Sequence, residues 1–189
     1  MMERILLASS SPRRREILTM AGIGFDVLCA DTDESFLPGT APQDVVMLLA
    51  RRKAEAVSQF PEASGRTIVA ADTIVYLNGR ILGKPHSKDE AFSMLSSLSG
   101  RTNEVFTGVC IWEAGHGGRV FYEKSSVEFY PLPPEEIWEY IATGEPMDKA
   151  GAYGIQGRGS LLVRRIDGDY FNVMGLPVAK LFRELREKR

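Results

Sequence analysis

One carboxylate inside an apolar run is the first residue with chemistry to offer. Ile68-Val69-Ala70-Ala71-Asp72-Thr73-Ile74-Val75-Tyr76-Leu77 surrounds Asp72 with β-branched and apolar residues and no turn residue, the pattern of a buried strand. An ionised carboxylate there is costly unless a cation, a metal or hydrogen-bond donors meet it. Asp72 is therefore either a strand-end cap for a neighbouring turn or an acid held for reaction. The chain supplies cations for the second reading. Arg13, Arg14 and Arg15 follow Ser9-Ser10-Ser11-Pro12, Lys53 sits within the apolar series Val46, Leu49, Ala50, Ala54 and Val57, and Lys84 lies in Gly83-Lys84-Pro85. Asp31, Asp33 and Glu34 add an acidic cluster. Serine hydroxyls and arginines at a helix start attract anions. A magnesium ion shared with a phosphate needs one or two carboxylate oxygens. A solvated acidic loop fits the same cluster equally well.

The elements that must position these residues can be read in order. Residues 4–8 are a buried first strand. The serines and Pro12 start a helix, with N-cap hydroxyls and proline at its first position, that runs to about Ala21. Residues 24–29 form a second strand. Thr40-Ala41-Pro42-Gln43 reads as a capping box for a helix whose apolar stripe includes Lys53, which either snorkels to the edge or meets a buried anion. Asn78-Gly79 turns a tight hairpin. Ser87-Lys88-Asp89-Glu90 is a second capping box, for a helix that buries Ala91, Met94, Leu95 and Leu98. Strands over 105–112 and 120–129 make a long hairpin, and a short helix over 135–143 follows. The Gly-rich stretch Gly151-Ala152-Tyr153-Gly154-Ile155-Gln156-Gly157-Arg158-Gly159 holds too many large side chains for a linker and predicts an ordered loop close to a ligand. Residues 161–166 and 170–174 read as a last hairpin around Asp167-Gly168-Asp169, before a final helix from about Pro177 to Glu187. Helices interspersed with hairpins and single strands define a mixed α/β fold.

Composition narrows the class. The chain has 189 residues, 44% apolar and 25% charged, with a net charge of −2, so a polyanionic ligand must be held by local cations rather than a global field. Basic clusters at Arg13–Arg15 and Arg51–Lys53 lack an aromatic platform, which argues against nucleic acid as a partner. No apolar run approaches a membrane span. Cys29 and Cys110 stand alone and read as small core residues in a reducing compartment, so a cytoplasmic protein is expected. Walker and dinucleotide glycine motifs are absent. His86 and His116 lie in turn-like sequence, unsuited to Ser-His-Asp or Cys-His chemistry.

Leu7-Ala8-Ser9-Ser10-Ser11-Pro12-Arg13-Arg14, Ala71-Asp72-Thr73-Ile74-Val75, Gly83-Lys84-Pro85 and Gly151-Ala152-Tyr153-Gly154-Ile155-Gln156-Gly157 together resemble the Maf nucleoside triphosphate pyrophosphatases, in order and over nearly the whole chain. The resemblance implies a single domain over residues 1–189: an α/β protein with an elongated mixed central sheet, flanking helices and two lobes around a deep cleft, similar to inosine triphosphate pyrophosphatases. It implies hydrolysis of dTTP and UTP to monophosphate and pyrophosphate with a divalent metal, Mg²⁺ or Mn²⁺, in a cytoplasmic homodimer. Asp72 then matches the proton acceptor, and Arg13, Thr73 and Gln156 match the positions that set substrate choice. Ser9, Arg13, Lys53 and Lys84 are expected on the phosphates, and Glu34 with Asp72 on the metal. Asp72 either takes a proton from water or orients it through the metal. Gln156 suits the edge of uracil or thymine, where an N–H donor lies beside an acceptor. The alternative is a nucleotide-sensing regulator of septum formation with little turnover.

Overall fold

The apolar run around Asp72 forms a ten-residue strand, β3 (Ile68–Leu77), in a computed structural model that describes residues 3–187. Its first four residues are buried, as strands covered on both faces are. β1 (Ile5–Leu7) lies parallel beside it, Leu6 opposite Ile68 and Leu7 opposite Val69. β2 (Phe25–Val27) lies parallel to β1. Beyond Asp72, β3 turns back through Asn78-Gly79 into β4 (Arg80–Leu82), antiparallel with Leu77 opposite Arg80. Asn78 and Gly79 have φ of 50° and 84°, the hairpin geometry that Asn-Gly favours. With β5 (Thr102–Glu113), β6 (Gly117–Phe129) and β7 (Val163–Asp167) the sheet has seven strands in the order β2-β1-β3-β5-β6-β7, β4 joining at β3. The flanking helices are α1 (Pro12–Met20), α2 (Pro42–Ser58), α3 (Lys88–Leu98), α4 (Pro134–Ala142), α5 (Tyr170–Met174) and α6 (Val178–Arg186). The mixed α/β fold read from the sequence is the fold observed.

Two compact units divide the chain. The first holds residues up to Asp72, Thr107–Glu123, and the chain from Gly175 onward; the second holds Thr73–Phe106 and Lys124–Met174. The core of the first packs Ala50, Ala54 and Val57 of α2 on Leu6, Ile68, Ala70 and Cys110 of the strands. Gly108 lets α2 come this close, because a Cβ there would stand 2.3 Å from the Val46 carbonyl carbon and oxygen. The core of the second gathers Leu95 and Leu98 of α3, Ile137 and Ile141 of α4, and Val127 and Phe129 of β6. In it the Phe129 and Tyr153 rings meet edge to face at 4.8 Å.

Four local expectations are corrected. The last hairpin does not form: residues 157–162 make a 3₁₀ segment, β7 pairs with β6, and residues 170–174 are helix α5. Asp169 decides this. Its Oδ1 accepts the Phe171 N–H at 2.8 Å and its carbonyl accepts the Val173 N–H at 3.3 Å, so the segment starts a helix instead of turning a strand. Thr40 is no cap either. Ala41 holds the N-cap position of α2, and the Thr40 hydroxyl donates to the Leu37 carbonyl at 2.7 Å. Ser11 occupies the N-cap of α1 without a side-chain bond, leaving Pro12 to set the start. Cys29 is exposed. Only Cys110 joins the core, where burial pushes its thiol up to about 12, which makes it an unreactive thiol. The Ser87 box holds with a shift: Ser87 Oγ accepts the Glu90 N–H at 3.1 Å, but Glu90 reaches back to the His86 N–H at 2.7 Å.

Candidate active site

Helix α2 brings Lys53 to Asp72. Ala50, Ala54 and Val57 bury the face on which it lies, so its stem is covered and only 18% of the side chain is exposed. The ammonium donates to Asp72 Oδ1 at 2.5 Å and stands 2.9 Å from Glu34 Oε1. Asp72 is 13% exposed. The carboxylate in the apolar strand has thus found its cation, and the lysine in the apolar stripe has found its anion. With both side chains largely covered, water screens this pair less than it would a surface salt bridge. Arg52, one residue earlier on α2, donates to the backbone carbonyls of Asp33 at 3.1 Å and Ser35 at 2.6 Å. That fixes the acidic loop. Within it, the Ser35 hydroxyl and N–H hold the Asp33 carboxyl below the usual range, so Asp33 is engaged locally and Glu34 is the acid that reaches Lys53.

Ser9, buried, stands just beyond β1, where Ala8 still donates to the Val69 carbonyl of β3 at 2.8 Å. Its Oγ accepts from Arg14 Nη1 at 2.9 Å and from the Ser11 N–H at 3.3 Å. Arg14 Nε donates to the Gly175 carbonyl at 2.8 Å. Burial pushes the Arg14 guanidinium below its usual value and Arg13 adds to that, while Asp72 and Glu34 pull it back. The first unit therefore collects Ser9, Arg14, Glu34, Lys53 and Asp72, with Arg13 half-buried on α1. Sequence reasoning grouped Arg14 with its neighbours as general positive charge. Its link to Ser9 had no local signature.

The second unit holds Thr73, Lys84 and Gln156. Gly83, next to Lys84, accepts the Gly151 N–H at 2.9 Å. Gly151 has φ of 68°, and a Cβ on it would press Val75 at 3.0 Å. The lysine loop, the Gly-rich segment and the β3 residues after Thr73 thus converge. Lys84 is exposed, and Thr73 and Gln156 are half-buried. Ordering of the Gly-rich segment comes from residues that the sequence did not single out. Glu145 Oε1 and Oε2 accept the N–H groups of Arg158 and Gly159 at 3.1 and 3.3 Å, and Tyr140 accepts the Gly154 N–H at 3.2 Å. Buried Tyr153 donates to Asn103 Oδ1 at 3.0 Å, and burial drives its phenol pKa up. The only available signal was Gly144-Glu145-Pro146, which reads simply as a helix stop.

Among the described residues no three His, Cys, Asp or Glu gather as metal ligands. Asp72 and Glu34, two carboxylates meeting on one ammonium, suit a hard cation that takes one or two protein oxygens and leaves its other positions to water and phosphate. The first unit of this α/β protein thus holds a strand carboxylate salt-bridged to a helix lysine, together with the Ser9–Arg14 pair at the start of α1. The chain belongs to the Maf-like protein family, whose profile matches residues 4–188. It is 48% identical to a dTTP/UTP pyrophosphatase of Bacillus cereus over 98% of this chain and 96% of that one. With a dTTP/UTP pyrophosphatase of a Geobacillus species the identity is 49%, over 98% of each. Among solved structures, the nucleoside-triphosphatase (dITP/XTP pyrophosphatase) of Mycobacterium abscessus is a looser likeness, with TM-score 0.42 and 16% identity over 69% of this chain and 75% of that one.

Proposed function

We propose that this protein hydrolyses dTTP and UTP between the α and β phosphates, giving the monophosphate and pyrophosphate. The observation that carries the reading is the Lys53 ammonium held between Asp72 and Glu34. The names of the relatives at 48–49% identity supply the substrates and favour turnover over nucleotide sensing alone. A triphosphate carries about four negative charges, so its cleavage depends on positioning and on cations aimed at developing charge. Lys53, Arg13, Lys84 and the Ser9 hydroxyl are assigned to the phosphate oxygens. Asp72, its orientation fixed by Lys53, takes the proton of the attacking water. Asp72 and Glu34 are the residues that would hold Mg²⁺ or Mn²⁺, which when bound supplies further charge neutralisation at the phosphates.

Thr73 and Gln156 in the second unit, with Arg13 in the first, are assigned to choice of base. Gln156 pairs its amide with the adjacent acceptor and N–H donor of uracil or thymine. Cytosine presents the reverse sense and a purine needs more room. The whole chain is proposed to act as one domain, in the cytoplasm, as a homodimer. The test is a comparison of dTTP, UTP, CTP, GTP and 7-methyl-GTP with purified protein and Mg²⁺, assaying pyrophosphate and orthophosphate separately. Pyrophosphate release fastest with dTTP and UTP is expected. Orthophosphate as the product, or preference for a guanine nucleotide, would reject the assignment.

A further inference from the structure

Ser9 has a hydrogen-bonding state that can be worked out from its neighbours. A serine hydroxyl has two lone pairs and one proton. The Ser11 N–H at 3.3 Å and Arg14 Nη1 at 2.9 Å are both donors to Oγ, and together they occupy both lone pairs. What Ser9 has left to give is its proton. A hydroxyl in this state is a donor to an acceptor-only partner and a poor partner for anything that donates. Phosphate oxygens are such acceptors. A guanidinium bonded to the hydroxyl oxygen also polarises the O–H bond and strengthens its donation.

Arg14 is built to impose this state. Its fork is pinned at a second point, Nε to the Gly175 carbonyl at 2.8 Å, in the turn between α5 and α6. Gly175 has φ of 116°, a conformation that favours glycine. A swing of the guanidinium toward a ligand would cost it the bonds to Ser9 and Gly175. Ser9 is buried and stays under it. Asp72 and Glu34 lie close enough to act on the charge of Arg14, which puts the Ser9 hydroxyl in the neighbourhood of the proposed chemistry.

We propose that Arg14 is a positioning residue, which acts on the substrate through Ser9 by fixing that hydroxyl as an obligate donor to a phosphate oxygen. This rests on the assignment of Ser9 to the phosphates. Arg13 and Arg14, adjacent in sequence and alike in charge, then have separate tasks: Arg13 is assigned to the phosphates and Arg14 to holding Ser9.

A double-mutant cycle on UTP hydrolysis at saturating Mg²⁺ tests it. Ser9→Ala is expected to lower kcat/KM by roughly 10- to 100-fold, the scale of losing a hydrogen bond to a charged group. Arg14→Lys keeps the charge but cannot serve Ser9 and Gly175 together, and is expected to cost a similar factor. On top of Ser9→Ala it is expected to cost less than about threefold, because the residue it acts through is already gone. Multiplying losses would overturn the inference while leaving the phosphate assignment intact. A silent Ser9→Ala would remove the phosphate assignment at this residue. Arg14→Gln provides a second cycle, and thermal unfolding checks that each variant is folded. A readout that needs no Arg14 variant is the Arg14 Nε–H resonance of labelled protein titrated with inorganic pyrophosphate. It is expected to shift in the wild type and to stay in place in Ser9→Ala. The same shift in both proteins would show that Arg14 meets the anion directly.

Discussion

Asp72 and Lys53 each carry a charge into an apolar setting, and each is explained by the other. This mutual dependence separates their effects on stability from their effects on turnover. Asp72→Asn keeps a polar side chain that can accept from Lys53, so the fold should hold while turnover falls by roughly 10²–10⁴, the range of general-base catalysis. Initial rates with UTP check this, and activity within tenfold of the wild type would rule out the role. Lys53→Met leaves the Asp72 carboxylate without its ammonium, at an expected cost of about 1–3 kcal/mol for an unsatisfied buried group. Adding Asp72→Asn should recover most of that stability, because it removes the charge that lost its partner. Activity should not return. Chemical denaturation of the two single variants and the double variant measures the cycle; a double variant less stable than Lys53→Met would mean the two residues do not form the pair described.

Elements place these side chains more tightly than the residues alone suggest. The approach of α2 to β5 depends on Gly108, whose missing Cβ leaves room for the Val46 backbone. Gly108→Ala should push α2 outward, cost about 1–3 kcal/mol by overpacking, and lower turnover because Lys53 moves with the helix. Unchanged melting temperature and rate would show that the helix has slack to give. The Gly-rich segment is similarly held, by the Glu145 carboxylate on two backbone N–H groups. Glu145→Gln can satisfy only one of them with its single carbonyl, so the ratio of UTP to CTP turnover should fall several-fold as Gln156 loses its support. A ratio unchanged from the wild type would separate Gln156 from this anchor.

Elements also mark where sequence reading succeeds. β3 and its hairpin were legible because apolar runs and Asn-Gly turns are local signals, and α2 was legible because its apolar period placed Lys53 on the buried face. Asp167-Gly168-Asp169 was misread because Asp followed by an aromatic residue serves a hairpin or a helix start equally, and only the hydrogen bonds of Asp169 separate them. The Arg14–Gly175 bond spans 161 positions and leaves no periodic trace. Glu145 was hidden for the same reason: its partners are backbone N–H groups 13 and 14 residues away.

At the scale of the whole molecule the question is whether two compact units behave as one. β3 changes unit between Asp72 and Thr73, β5 between Phe106 and Thr107, and β6 between Glu123 and Lys124. Three strands therefore contribute residues to both cores, and melting either core takes away part of the strands on which the other is built. Of the four crossings between the units, three fall inside hydrogen-bonded strands and one, between Met174 and Gly175, falls in the turn between α5 and α6. Unfolding is thus expected to be one cooperative transition, with calorimetric and van't Hoff enthalpies equal. At about 0.7 kcal/mol per residue near 60 °C, the enthalpy should be on the order of 130 kcal/mol. Differential scanning calorimetry at two scan rates measures both quantities. Magnesium and a slowly hydrolysed dTTP analogue should raise the midpoint of that single transition, because a ligand bound only by the folded state stabilises whatever unfolds together. Two resolved transitions, only one of them raised by ligand, would show that the units fold separately and that one alone carries the nucleotide.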